Sequence, residues 1–247
     1  MACAHVFGIP VEGSSQEELL RVLASRKTDS QPYWIVTANP EILLRAREDS
    51  SYANAIKQAD VRTVDGFGIW LVLRLKGIRT HRVTGIDFAE TLVKMAEGKE
   101  WRVACVGGAP GVAEKACVAL RERYPQLICH AEQGGNVAED GTDDEAGEEA
   151  RHRLTLFDPQ IMLVAFGHPK QEQWILRNLN DFPYVRVVMG VGQTLDVWAG
   201  VVRRAPRVLQ KLGFEWLWRL FCEPSRWKRI VWRAFILFPF RAWKDIH

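Results

Sequence analysis

The run Val61-Arg62-Thr63-Val64-Asp65-Gly66-Phe67-Gly68 carries the first chemistry legible in this chain. Four residues of strand-like composition lead into an acid, and two glycines follow it. A helical pattern begins at Ile69. A carboxylate at the exit of a buried strand, on a turn kept open by glycine, stands where an open α/β sheet gathers its ligands. Asp65 is therefore a candidate general base. The simpler reading makes it a helix cap or a turn residue.

Four other stretches end a strand in the same way. Tyr33 to Thr37 is β-rich and runs into Thr37-Ala38-Asn39-Pro40-Glu41. Asn39 suits an N-cap and Pro40 the first turn of a helix, and plain capping accounts for Thr37 and Asn39 on sequence alone. Trp101 to Val106 runs into Gly107-Gly108-Ala109-Pro110-Gly111-Val112. There the glycines, Gly107, Gly108 and Gly111, would let backbone amides approach a phosphate at a helix start. Gln160 to Phe166 runs into Gly167-His168-Pro169-Lys170-Gln171, which places Lys170 and Gln171 above the sheet. Val185 to Met189 runs into Gly190-Val191-Gly192-Gln193-Thr194-Leu195-Asp196, a turn that can pass close beneath a ligand. The basic loop Arg79 to Asp87 offers Arg79 and Arg82 to phosphates, or simply to solvent.

The elements that must position these residues alternate. Helical patterns separate the strands, with one long helix expected from about Glu41 to Gln58. This predicts an α/β, Rossmann-like, mostly parallel sheet flanked by helices, with the polar turns converging over its carboxyl edge. Residues 134–149 are Gly-rich and then acidic, and read as a mobile surface loop or a solvated helix start. No D-x-D follows an apolar strand, so no metal-diphosphate site is indicated.

The bulk numbers fit a globular chain of 247 residues, 47% hydrophobic and 26% charged. Five widely spaced cysteines argue against a disulfide framework or a zinc site, and for a reducing cytosol. The start of the chain shows no signal-peptide pattern, and no apolar run is long enough to span a membrane. The net charge of +3 hides an asymmetry: residues 201–247 carry +8 and five of the ten tryptophans, and the rest carries −5. A division follows, with a body over 1–200 and a basic, aromatic helical appendage over 201–247. Tryptophan beside arginine is the composition of a helix lying on a membrane surface. A core helix with a solvated basic face and a nucleic-acid-binding tail are the competing readings.

Read together, the motifs resemble the WecG/TagA/CpsF glycosyltransferases, family 26. The resemblance rests on Thr37-Ala38-Asn39-Pro40-Glu41, Val64-Asp65-Gly66-Phe67-Gly68 and Arg82-Val83-Thr84-Gly85-Ile86-Asp87. It continues through Gly167-His168-Pro169-Lys170-Gln171-Glu172, Gly190-Val191-Gly192, Asp196, Ala199-Gly200 and Arg204-Ala205-Pro206. It ends with Gly213-Phe214-Glu215-Trp216-Leu217-Trp218-Arg219-Leu220 and Glu223-Pro224. The motifs occur in order over nearly the whole chain.

The resemblance implies a GT-E fold and an inverting transfer of an N-acetylhexosamine-type sugar, ManNAc or ManNAcA. The sugar moves from a UDP-sugar to a polyprenyl-diphosphate-linked GlcNAc at the inner face of the cytoplasmic membrane. Teichoic acid, enterobacterial common antigen or capsule synthesis would be the setting, with no metal, no cofactor and no nucleic acid. An assembly of like chains is compatible with it. By position, Asp65 matches the base, Thr37 and Asn39 line its pocket, and Arg82 and Gln171 meet the donor or its leaving diphosphate. Arg219, Arg226 and Arg229 match an appendage that closes over the site. Gly107, Gly108, Gly111, Lys170, Gly192, Gln193 and Asp196 complete the expected substrate-binding set. Gln193 and His168 stand where the family has small residues, which leaves the donor sugar open. Two other classes stay in play: an NAD(P)-dependent oxidoreductase built on Gly107–Gly111 with Glu132 downstream to hold a ribose, although the glycine spacing is not G-x-G-x-x-G, and a non-catalytic membrane or nucleic-acid adaptor built on the tail.

Overall fold

The computed structural model describes residues 3–26, 31–212, 215, 217, 218 and 237–245. Arg219, Arg226 and Arg229 lie outside the described residues, and so do three of the tail's five tryptophans. The strands are β1 (Cys3–Val6), β2 (Ile9–Glu12), β3 (Tyr33–Ala38), β4 (Val61–Val64), β5 (Arg102–Gly107), β6 (Ile128–Glu132), β7 (Ile161–Ala165) and β8 (Val187–Gly190). They form one sheet in the order β1-β2-β4-β3-β8-β7-β5-β6. The β1–β2 hairpin is antiparallel, and every other pairing is parallel. The expected mostly parallel sheet is therefore present.

Alternation along the central strands sends neighbours to opposite faces. Val36, Ala104, Val106, Met162, Val164 and Val188 face one core, while Ile35, Val103, Cys105, Leu163, Val187 and Met189 face the other. Helices cover both faces. Described helices are α1 (Gln16–Ser25), α2 (Pro40–Glu48), α3 (Ser50–Lys57), α4 (Phe67–Leu75), α5 (Gly85–Gly98) and α6 (Val112–Arg123). They continue with α7 (Glu145–Phe157), α8 (Lys170–Asn178), α9 (Thr194–Trp198), α10 (Arg207–Leu212) and α11 (Phe238–Asp245).

Several expectations change at this level. The helix expected over 41–58 is two helices, because Asp49 ends α2 and its carboxylate accepts from Tyr52 N–H to cap α3. Arg62, in the middle of β4, is a buried cation, on which the sequence reading is silent. Its guanidinium pairs with Glu12 at 2.6 Å and donates to the Pro10 carbonyl at 2.8 Å, which ties the hairpin to the sheet. Of the two readings of residues 134–149, the solvated helix start holds, since α7 begins at Glu145 with a largely exposed first turn, while the stretch before it is pinned rather than loose. Asn136 bonds both oxygens of Asp144, whose carboxylate also caps α7, and Trp174 Nε1 donates to Asp143 at 3.0 Å.

The expectation of no disulfide is also overturned. Cys117 and Cys129 are joined, because α6 packs on β6 and brings their Cα atoms to 5.8 Å despite a separation of twelve residues. Cys105 sits 3.9 Å from Cys129. Burial pushes its thiol up to about 12, so it is unreactive.

The described parts of the C-terminal segment rest on the body. Arg82 Nη2 donates to the Gln210 carbonyl at 2.7 Å, and α11 buries Phe238 and Ala242 against β1 and α4. Among the described residues no helix is long and apolar enough to cross a membrane.

Candidate active site

A pocket of about 700 Å³ opens over the carboxyl ends of β3, β4, β5, β7 and β8. That volume suits a ligand of cofactor size. Its wall carries Thr37, Asn39, Asp65, Arg82, Gly108, Lys170, Gln171, Gly192, Gln193 and Asp196, all of them expected from the sequence. Residues separated by more than 150 positions meet here because strand order differs from chain order, which leaves a crevice at the sheet edge.

Asp65 follows β4 directly. Its backbone N–H donates to the Ala38 carbonyl at 2.8 Å, which fixes it beside the end of β3. Gly66 then takes φ +105°, a value that side-chain-bearing residues rarely adopt, and turns the chain into α4. A side chain there would also press on the Pro40 ring, at 3.1 Å. The carboxylate Oδ2 accepts from the Gly85 N–H at 3.1 Å. Val83 N–H donates to the Val64 carbonyl at 2.9 Å, which lays Arg82 and Thr84 alongside Asp65. Thr37 is nearly buried beneath them, its hydroxyl against Gly85. The site thus sets a carboxylate, a hydroxyl and a guanidinium on neighbouring pieces of backbone.

The helix starts around the pocket differ. Asn39 Oδ1 accepts from Ile42 N–H at 3.0 Å, so Asn39 does cap α2, and its amide nitrogen is left for other partners. Thr84 caps α5. Neither α4 nor α8 has a side-chain cap, and both begin in the wall with Gly68, Lys170 and Gln171. A helix start of that kind favours an anionic ligand.

Other expectations are corrected. Gly107 and Gly111 are not in the wall, although Gly108 is. The Phe166 ring lies over Gly107, 2.9 Å from where a side chain would begin, and Gly111 faces open space at the start of α6. Arg79 is likewise absent from the wall. Glu132, the acid expected to hold a ribose, is held by Arg153 at 2.9 Å to each oxygen and by His130 at 2.9 Å. Burial works against its charge, but Arg153 and His130 outweigh it and hold its carboxyl below the usual range. The dinucleotide reading loses its ribose contact.

Sequence reasoning missed Glu41, Asn136, Phe166 and Glu215 in the wall. Glu41 lies 3.3 Å from His168 within that wall. Asn136 follows β6 by way of Gly134-Gly135, a strand-end signal that the sequence reading takes only as part of a loose acidic loop, and Glu215 comes from the tail, which follows no strand.

This fold and pocket define a class: an α/β group-transfer enzyme whose acidic group faces cations and open helix starts that suit a phosphorylated ligand. The comparisons narrow it. The family model for the glycosyl transferase WecG/TagA/CpsF family matches residues 4–246. Two Staphylococcus aureus proteins, from strains MRSA252 and COL, are each 36% identical over 215 residues, covering 87% of this chain and 80% of theirs. Both are named N-acetylglucosaminyldiphosphoundecaprenol N-acetyl-beta-D-mannosaminyltransferase. The chain belongs to the WecG/TagA/CpsF glycosyltransferase family.

Proposed function

We propose that this enzyme transfers N-acetylmannosamine, with inversion, from a UDP-sugar to the GlcNAc of an undecaprenyl-diphosphate-linked acceptor. The observation that carries the reading is the juxtaposition of Asp65, Thr37 and Arg82 in one pocket of a chain related to enzymes named for that transfer. Asp65 takes the proton from the attacking GlcNAc hydroxyl. That oxygen bonds to the anomeric carbon as the bond to UDP breaks, and the electron pair leaves with the diphosphate. Inversion in one displacement needs one base on the acceptor side and positive charge on the leaving side. Arg82, Lys170 and the start of α8 supply that charge in this reading, with no metal.

The test is UDP release from a panel of UDP-sugars with a short-chain polyprenyl-diphosphate-GlcNAc, with and without EDTA. Acceptor-dependent release from UDP-ManNAc is expected, unchanged by EDTA. Release from a different donor would reassign the sugar. Release abolished by EDTA would put a metal on the diphosphate.

The acceptor's lipid implies work at a bilayer, and we place it at the inner face of the cytoplasmic membrane. Leu71 and Leu75 on α4 and Phe240 and Trp243 on α11 are exposed on packed neighbouring helices. Lys76 lies 4.8 Å over the Trp243 ring and Lys244 4.6 Å over Phe240. Apolar rings with adjacent lysines suit an anionic lipid surface. Because α4 starts in the pocket wall at Phe67, such a surface would bring the bilayer to the acceptor side. Sedimentation with phosphatidylglycerol vesicles checks this. Replacing both Leu75 and Trp243 by serine is expected to lower binding about tenfold or more. Unchanged binding would move the membrane contact elsewhere.

A further inference from the structure

Glu172 is a carboxylic acid with no role in the transfer described above. It is the third residue of α8, 1% exposed, behind the pocket rather than in its wall. Its neighbour Gln171, itself 4% exposed, is in the wall. Gln171 Nε2 donates to Glu172 Oε1 at 2.7 Å. Gln171 Oε1 accepts from the Gly192 N–H at 3.2 Å. The same side chain crosses the face of Gly190 so closely that a Cβ there would stand 2.5 Å from Nε2. One amide therefore spans from the buried acid to the turn Gly190–Gly192, and that turn carries Gln193 and Asp196 into the pocket.

A primary amide can point either end at a neighbour. What decides it here is the partner behind. Glu172 Oε1 accepts, so the NH₂ end of Gln171 turns inward and its carbonyl end turns to Gly192. We infer that Glu172 is a positioning residue for the donor side of the site, acting through Gln171 on the Gly190–Gly192 turn. The inference rests on the transferase reading for what the turn binds, but not for the chain of contacts.

The surroundings fix how Glu172 does this. Tyr52 of α3 is fully buried and faces the carboxyl, with Arg45 of α2 and Asp49 between α2 and α3 beyond it, and His168 approaches from the turn before α8. Burial pushes the carboxyl above its usual range, against the pull of His168, Gln171 and Tyr52. Its second oxygen faces the Tyr52 hydroxyl: an ionised carboxylate can accept from that O–H, and a protonated one can donate to the Tyr52 oxygen. In either form Oε1 accepts from Gln171 and the second oxygen meets Tyr52. Glutamine would do the same; leucine would fill the space and do neither.

The experiment compares wild type, Glu172→Gln and Glu172→Leu in three measurements: donor and acceptor KM with kcat, UDP affinity by calorimetry, and amide hydrogen exchange at residues 190–192. Glu172→Gln is expected to stay within about twofold of wild type in all three. Glu172→Leu is expected to raise donor KM and UDP Kd about tenfold, with kcat and acceptor KM changed less than about threefold. Its exchange at 190–192 should quicken about tenfold while helices remote from α8 keep their protection.

A Glu172→Leu protein that only loses thermal stability, with donor KM and local exchange unchanged, would overturn the inference. So would a Glu172→Gln protein as damaged as Glu172→Leu, because the charge and not the hydrogen bonding would then be what matters. If wild type turns over no UDP-sugar, the transferase reading fails by itself. The exchange measurement still decides whether Glu172 holds the turn.

Discussion

Replacing Asp65 by asparagine is expected to lower kcat about a thousandfold, within the range that a positioned general base contributes. Donor KM and UDP affinity should stay within about twofold, because asparagine removes no contact to a leaving group. The substitution is nearly isosteric. An asparagine carbonyl can still accept from Gly85 N–H as Oδ2 does now at 3.1 Å, and the backbone bond from residue 65 to the Ala38 carbonyl is untouched. What is lost is the capacity to take a proton. Steady-state UDP release and calorimetric UDP binding, measured on one preparation, separate the two effects. The pocket holds other carboxylates, Glu41, Asp196 and Glu215, so the prediction carries a control. Asp196→Asn should change kcat far less than Asp65→Asn. Near-normal turnover in Asp65→Asn would assign the base to one of those three.

The reasons that Asp65 was legible, and that others were not, are physical. A strand whose neighbours are apolar and whose exit carries an acid and a glycine has few structural uses for that acid, and β4 supplies that pattern at Val64-Asp65-Gly66. The parallel sheet was legible from the same alternation, since buried strands read as apolar runs and their turns as glycine. Gly107 and Gly111 show the limit. They share composition with Gly108, but the Phe166 ring covers one and the other turns away at the start of α6, and only the packing of β7 beside β5 decides that. Glu132 looked like a ribose ligand because nothing in local sequence announces Arg153, which reaches it from α7 across twenty-one residues. The disulfide was missed for a related reason. Sequence spacing says how far apart two cysteines are along the chain, and helix-on-strand packing says how far apart they are in space. Arg62 hid inside a strand for want of any sign that Glu12 would come to meet it.

Arg82→Ala is expected to lower kcat/KM about a hundredfold, the usual cost of removing one preorganised group from developing negative charge. Arg82 is in the pocket wall, yet Nη2 already donates to the Gln210 carbonyl at 2.7 Å. Two tasks are therefore to be separated, the proposed one of meeting the leaving diphosphate and that of holding α10 against the body. A guanidinium has five donors in a planar fork, so one bond to Gln210 leaves the rest of the fork for phosphate oxygens. Arg82→Lys keeps the charge but gives up the fork, and should recover about tenfold of the loss if charge on the diphosphate is the larger part. If anchoring α10 were the whole role, both variants would show lowered thermal stability with kcat/KM near wild type at temperatures below unfolding. Kinetics and melting measured on the same samples distinguish the cases. A deficit in kcat/KM that lysine partly repairs, in proteins melting within a few degrees of wild type, is the result that assigns Arg82 to the leaving group. That pattern would also account for why the segment bearing Glu215 is led back over the pocket. In that case the contact that holds Gln210 to the body would run through the same side chain that meets the departing charge.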